Sequence, residues 1–239
     1  YLNSWNICDE DSDGPDYEML EELIVLLQSF ANINPNKIRI VGFSNGAALA
    51  NRAFVENKNV GVDKIATIVS QLPQTQFRNG DFYYPSQSTD ISLSHCGYDS
   101  VTIPLSGRKY LNICNVNDPI IPYGGGPSSV GLSYIDARSA AFIVAQSQGY
   151  TGAPIPGPGT FIGNSVDSVY EYSYLSDQVV HLYGFASHSI NAVEENYLID
   201  FLDDCALTSV AAVSKLEEVK IYPNPTTGFL QLELNKPQT

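Results

Sequence analysis

The sequence predicts an α/β fold, a mostly parallel sheet flanked by helices, and three observations carry the prediction. From Asp16 onward the chain reads as helix, short loop, buried β-branched strand and second helix, the alternation that a parallel sheet needs. Between that strand and its helix stands Gly42-x-Ser44-x-Gly46. This is the spacing of a nucleophile elbow, a strained strand-to-helix turn that lifts a serine hydroxyl clear of the sheet. Strand-like runs then recur at 64–70, 109–114, 169–174 and 179–183, with helical patterns between and after them.

Taken in order, residues 1–15 are polar, with the acidic run Asp9, Glu10, Asp11 and Asp13. The run lacks the glycine and terminal glutamate spacing of an EF-hand and reads as a solvated loop, not a calcium site. Asp16 is the predicted N-cap of a helix over 16–31, whose apolar stripe is Leu20, Leu23, Ile24, Leu27 and Ala31. Asn34-Pro35-Asn36 ends it, and the strand 38–41 leads into the elbow. At such a turn the residues two before and two after the serine are expected to crowd each other, so that neither Gly42 nor Gly46 carries a side chain easily. Ala47, Ala48 and Ala50 let the next helix lie close to its strand.

The strand 64–70 is followed by an irregular stretch, 71–108, long for a loop in a compact domain. Its cluster Phe82-Tyr83-Tyr84 reads as packing beneath that loop in preference to flanking a ligand. A helix is predicted over 132–148, a Gly/Pro-rich stretch over 151–164, and a helix over 191–202 with Val193, Tyr197, Leu198 and Phe201 on one face. Residues 206–217 read as a linker. The tail, 218–239, alternates apolar and polar residues after a Pro/Asn/Gly turn and reads as the start of a small β domain. The expected organisation is one α/β domain over 1–205, the linker, and that tail.

Composition narrows the partners. The formal net charge of −14 argues against nucleic acid, whose phosphates demand basic patches, and against adsorption to anionic membranes. No apolar run of about 18 residues is present, so no membrane-spanning helix is predicted. The first residues lack both the basic start and the apolar core of a signal peptide, and an initiating methionine; a leader is expected to have been removed or left out. Cys8, Cys96, Cys114 and Cys205 have no C-x-x-C spacing, so no zinc site is expected, and neither a metal nor a cofactor is called for. An even number permits disulfides whose pairing stays open, and Cys114, in an apolar strand, reads as a buried thiol.

If Ser44 is a nucleophile it needs a base, and the base an orienting carboxylate. Of the three histidines, His95 precedes every candidate acid that follows the elbow strand, and His181 lies inside an apolar strand, where it reads as packed. His188 follows a strand end in a loop of small residues, placed to reach across the carboxyl edge of the sheet. Asp118 follows the strand 109–114 and precedes Pro119; Asp167 and Asp177 are its rivals. The backbone N–H of Asn45, the residue after the serine, is the expected oxyanion donor. A second donor normally comes from a loop upstream of the elbow strand, and no segment before residue 16 reads as a strand leading into such a turn.

With these residues in place the chain resembles the secreted esterase branch of the α/β-hydrolases that holds polyhydroxybutyrate depolymerases and feruloyl esterases. The matching pieces are Ser4-Trp5-Asn6, the run from Asn34-Pro35-Asn36 through Gly42-Phe43-Ser44-Asn45-Gly46, and Asn117-Asp118-Pro119-Ile120-Ile121-Pro122-Tyr123-Gly124-Gly125, with a weaker match at the His188 loop. The resemblance implies an α/β-hydrolase fold lacking its N-terminal strands, and a triad of Ser44, Asp118 and His188. It further implies hydrolysis of carboxylic esters, polymer-linked or aromatic, without a cofactor. A serine peptidase on the same fold and a non-catalytic surface-binding relative are the alternatives. Tyr222-Pro223-Asn224-Pro225-Thr226-Thr227-Gly228 resembles the start of the sorting domain of type IX secretion. That likeness implies the secretion machinery as a partner, an extracellular or cell-surface location, and a chain that is a piece of a longer protein.

Overall fold

Helix α1 spans Asp16–Gln28, strand β1 Ile38–Phe43, helix α2 Asn45–Glu56 and strand β2 Val62–Ile68. Strands β3 (Phe77–Arg78), β4 (Asp81–Pro85) and β5 (Tyr98–Thr102) precede β6 (Lys109–Ile113). Short strands β7 (Gly126–Pro127) and β8 (Ser133–Tyr134) lead to α3 (Ala137–Ser147), and β9 (Thr160–Phe161), β10 (Tyr170–Tyr174), β11 (Val179–Tyr183) and α4 (Ala192–Leu202) complete the order. The computed structural model describes residues 4–8 and 14–203; the acidic run 9–13, Cys205, the predicted linker and the tail 218–239 lie outside them.

One six-stranded sheet organises the molecule, in the order β1-β2-β6-β11-β10-β9. The first four strands pair in parallel, β10 runs antiparallel to β11, and β9 antiparallel to β10. Ile65 and Ala66 of β2, which alternation sends to opposite faces, are both 0% exposed, as a strand covered on both sides requires. On one face Ile65, Tyr110, Tyr172 and Val179 pack with Ile24 of α1, Phe54 of α2 and Val144 of α3. On the other, Ala66, Leu111, Ile113, Val180 and Leu182 receive Val193, Tyr197, Leu198 and Phe201, the stripe predicted for α4. Each large apolar side chain so buried contributes about 1.5–3 kcal/mol. The α/β expectation stands, with a mixed sheet whose strands are mostly parallel.

Several boundaries move, for local reasons. Asp16 does not cap α1; it is the first helical residue after Pro15, and its carboxylate accepts the N–H of Asn6 at 2.6 Å. The helix ends at Gln28, not 31, where the Ser29 hydroxyl donates to the Leu26 carbonyl at 2.6 Å. Helix α3 starts at Ala137, not 132, because the Asp136 carboxylate caps it by accepting the Ser139 N–H at 2.9 Å. Residues 71–108 are not irregular throughout: β3, β4 and β5 form a separate antiparallel sheet. The turn is Asn79-Gly80, both at positive φ, and Asn-Gly between apolar runs is the strongest short-range hairpin signal. Within that sheet Phe82 packs against Phe77 at 4.8 Å between ring centroids, and the Arg78 guanidinium lies 3.5 Å over Tyr83.

Cys8 and Cys96 form a disulfide across 88 residues of sequence. Cys114 is the buried thiol expected, donating to Gln71 Oε1 at 3.3 Å, and burial pushes its pKa up. Among the described residues no helix is long and apolar enough to cross a membrane.

Candidate active site

The elbow is a backbone device before it is a chemical one. Ser44 adopts φ 55° and ψ −117°, a conformation costly for any residue with a Cβ. It is held from both sides. The Ser44 N–H donates to the Ile68 carbonyl of β2 at 2.9 Å, and the Ser44 carbonyl accepts the N–H groups of Ala47 and Ala48 in α2. The expected mutual crowding of the two glycines proves one-sided. A Cβ on Gly42 would overlap the Gly46 carbonyl oxygen, whereas a Cβ on Gly46 would lie 3.5 Å from Trp5 Nε1, an ordinary contact. Ala47, Ala48 and Ala50, each no more than 3% exposed, seat α2 against the sheet as their size predicts.

Because β1, β6 and β11 run in parallel, their carboxyl ends open on the same edge of the sheet, and the residues that follow them meet there. His188 Nε2 lies 2.7 Å from Ser44 Oγ, and His188 Nδ1 lies 2.8 Å from Asp118 Oδ2. The other carboxylate oxygen, Oδ1, accepts the N–H groups of Ile120 and Ile121 at 2.8 and 3.0 Å. The Asp118 side chain is 2% exposed and the imidazole 15%, so the pair is shielded while the ring keeps access to the surface. With Asp118 ionised, Nδ1 carries the proton and the Nε2 lone pair accepts the Ser44 hydroxyl. Phe43, 48% exposed, meets the His188 ring edge to face, with centroids 5.8 Å apart. The arrangement can draw a proton from a serine hydroxyl and return it to a leaving group.

The rival residues go elsewhere. His181 is 0% exposed; its Nδ1 faces Asn112 Oδ1 at 2.9 Å and its Nε2 faces the Tyr123 hydroxyl at 3.1 Å. Burial pushes its pKa down to about 4. It belongs to a polar rank that register lays across the sheet, Thr67 beside Asn112 beside His181, starting next to Gly42 of the elbow strand. Asn112 Nδ2 donates to Thr67 Oγ1 at 2.9 Å, and the Tyr110 hydroxyl donates to Asn51 Oδ1 of α2 at 2.6 Å. No motif announces this rank, because its members are consecutive only across strands. His95 is exposed, in a left-handed turn beside the disulfide. Asp177 accepts the Ser173 hydroxyl within its hairpin, and Asp167 closes a turn on Asn164.

Asn45, expected only as a backbone donor, does more. It opens α2, and the N–H groups of a helix's first turn point out along its axis. Its side chain reaches back 40 residues to Trp5: the Trp5 N–H donates to Asn45 Oδ1 at 2.5 Å and Asn45 Nδ2 donates to the Trp5 carbonyl at 3.1 Å. Among the described residues no cluster of three or more His, Cys, Asp or Glu side chains is arranged to hold a metal ion. No protein-family model, curated protein or solved structure matches the chain.

Proposed function

We propose that the chain is a secreted serine esterase on an α/β-hydrolase fold, cleaving carboxylic esters through an acyl-enzyme. One observation carries the reading: the continuous hydrogen-bonded line from Ser44 through His188 to Asp118, rooted in a serine at positive φ. As Ser44 Oγ attacks the ester carbonyl, His188 Nε2 takes its proton. Asp118 holds the ring in the tautomer that can accept and stabilises the imidazolium that forms. The oxyanion is received by the Asn45 N–H, and each such donor is worth about 3–4 kcal/mol. His188 then passes the proton to the departing alkoxide, and a water repeats the sequence to release the acid and restore the serine. The Cys8–Cys96 disulfide supports an oxidising, extracellular destination. The tail motif at 222–228, with the secretion machinery as its partner, points the same way.

A fluorophosphonate probe applied to the full-length protein is expected to label Ser44 and to be blocked by Ser44→Ala. Labelling elsewhere, or none, overturns the reading. Turnover of p-nitrophenyl esters without turnover of peptide anilides separates an esterase from a peptidase on the same fold.

A further inference from the structure

We propose that Trp5 is a specificity-determining wall of the Ser44 site and that the Asn45 side chain is the positioning residue that sets it; the proposal rests on the serine-esterase reading above. The segment 4–8 crosses the start of α2 without regular secondary structure of its own, so its course is dictated by its ties. The Asn45 amide makes both hydrogen bonds that a backbone peptide can offer it, to the N–H and the carbonyl of Trp5. Next along, the Asn6 N–H is held by Asp16 Oδ2 and its side-chain carbonyl accepts the Thr89 hydroxyl at 2.7 Å. Cys8 is then tied to Cys96 by the disulfide.

These ties press the indole onto Gly46, close enough that a Cβ there would touch Nε1 and Cδ1 at 3.5 and 3.8 Å. Gly46 is two residues beyond Ser44, in the first turn of α2. Trp5 is partly buried, packed against the core cluster that holds Ile7, Ala48 and Leu49, whereas Asn6, Ile7 and Cys8 beside it are each no more than 6% exposed. A large, rigid and partly buried aromatic ring therefore lies against the first turn of α2, two residues along the backbone from Ser44. That surface favours esters with an extended apolar or aromatic group over acetate. Asn45 joins the two functions, offering its backbone N–H to the oxyanion and its side chain to the wall.

Trp5 is the single tryptophan of the chain, so its fluorescence reports this spot alone. In the full chain, Asn45→Ala is expected to shift Trp5 emission to the red and to raise its quenching by acrylamide. Asn45→Asp, which keeps the acceptor but loses the donor, should fall between. Unchanged emission in a folded Asn45→Ala protein overturns the positioning role, whatever the chemistry of Ser44. For turnover, Asn45→Ala and Trp5→Phe should each lose about tenfold in kcat/KM for p-nitrophenyl butyrate relative to acetate, mainly through KM. An unchanged butyrate-to-acetate ratio, with Ser44 still reactive, overturns the wall assignment. Emission that responds to Asn45 in a protein whose Ser44 never reacts instead overturns the esterase reading, and with it the specificity role. Should Trp5→Phe fail to fold, wild-type protein decides: a butyl fluorophosphonate on Ser44 should shield Trp5 from acrylamide, and a methyl one should not. Equal quenching with both overturns the proposal.

Discussion

Ser44 Oγ and His188 Nε2 lie 2.7 Å apart across 144 residues of sequence, and Asp118 closes the line from the far side of the ring. Ser44→Ala and His188→Ala should each reduce kcat by about 10⁴–10⁶-fold. Asp118→Asn keeps an acceptor for the Ile120 and Ile121 N–H groups but turns an NH₂ toward Nδ1. The ring must then carry its proton on Nε2, where it cannot accept from Ser44, and kcat should fall about 10⁴-fold with the fold intact. Steady-state kinetics on the full-length variants, checked by circular dichroism, measure all three. Retained turnover in either alanine variant removes that residue from the machinery.

His181 makes the complementary prediction. His181→Ala should leave kcat within a few-fold of wild type, because the ring faces Asn112 and Tyr123, not Ser44. It should nonetheless cost stability, about 1–3 kcal/mol for the buried partners left unpaired. The folded state holds this imidazole neutral, with its pKa pushed from 6.5 to about 4 by burial. A lowered histidine pKa means that the unfolded chain takes the proton first. Its contribution is therefore complete above pH 6.5 and is lost as the pH falls toward 4, by about 3 kcal/mol in all. Urea titrations between pH 7 and 4 should show that decline, and His181→Gln should flatten it.

The two elbow glycines should part company. Gly42→Ala drives a methyl group into the Gly46 carbonyl and should cost about 1–3 kcal/mol or more, with loss of Ser44 reactivity. Gly46→Ala adds only a contact with the Trp5 ring and should fold normally. Thermal melts of the two variants, run side by side, test the asymmetry; equal losses would contradict it.

Removing the disulfide as Cys8→Ser with Cys96→Ser reopens a loop of 88 residues. Loop-closure entropy puts the cost at about 4–5 kcal/mol. A large drop in melting temperature, matched in the wild type by reducing agent, is the expected result. An unchanged melting temperature would show that the other ties of segment 4–8 suffice.

Local patterns were enough to give this protein its layers and to nominate Ser44, Asp118 and His188, which the fold brings together. The β-branched run before Gly42, the alanines after Ser44 and the stripe of α4 are signals carried within a few residues of one another. The order of serine, acid and histidine, together with their places just past strand ends, favoured Asp118 and His188 over Asp167, Asp177 and His181 without any distance. The Asn79-Gly80 turn of the β3–β4 hairpin is an equally local signal. What folding alone decided is everything that joins segments distant in sequence: that parallel strands deliver Ser44, Asp118 and His188 to one edge, that Cys8 pairs with Cys96, and that Thr67, Asn112 and His181 share a rank. The Asn45 amide closing on Trp5 belongs with these. Propensity and periodicity describe neighbours along the chain, whereas these contacts depend on strand register and on where each strand ends, which are set only when the whole sheet packs.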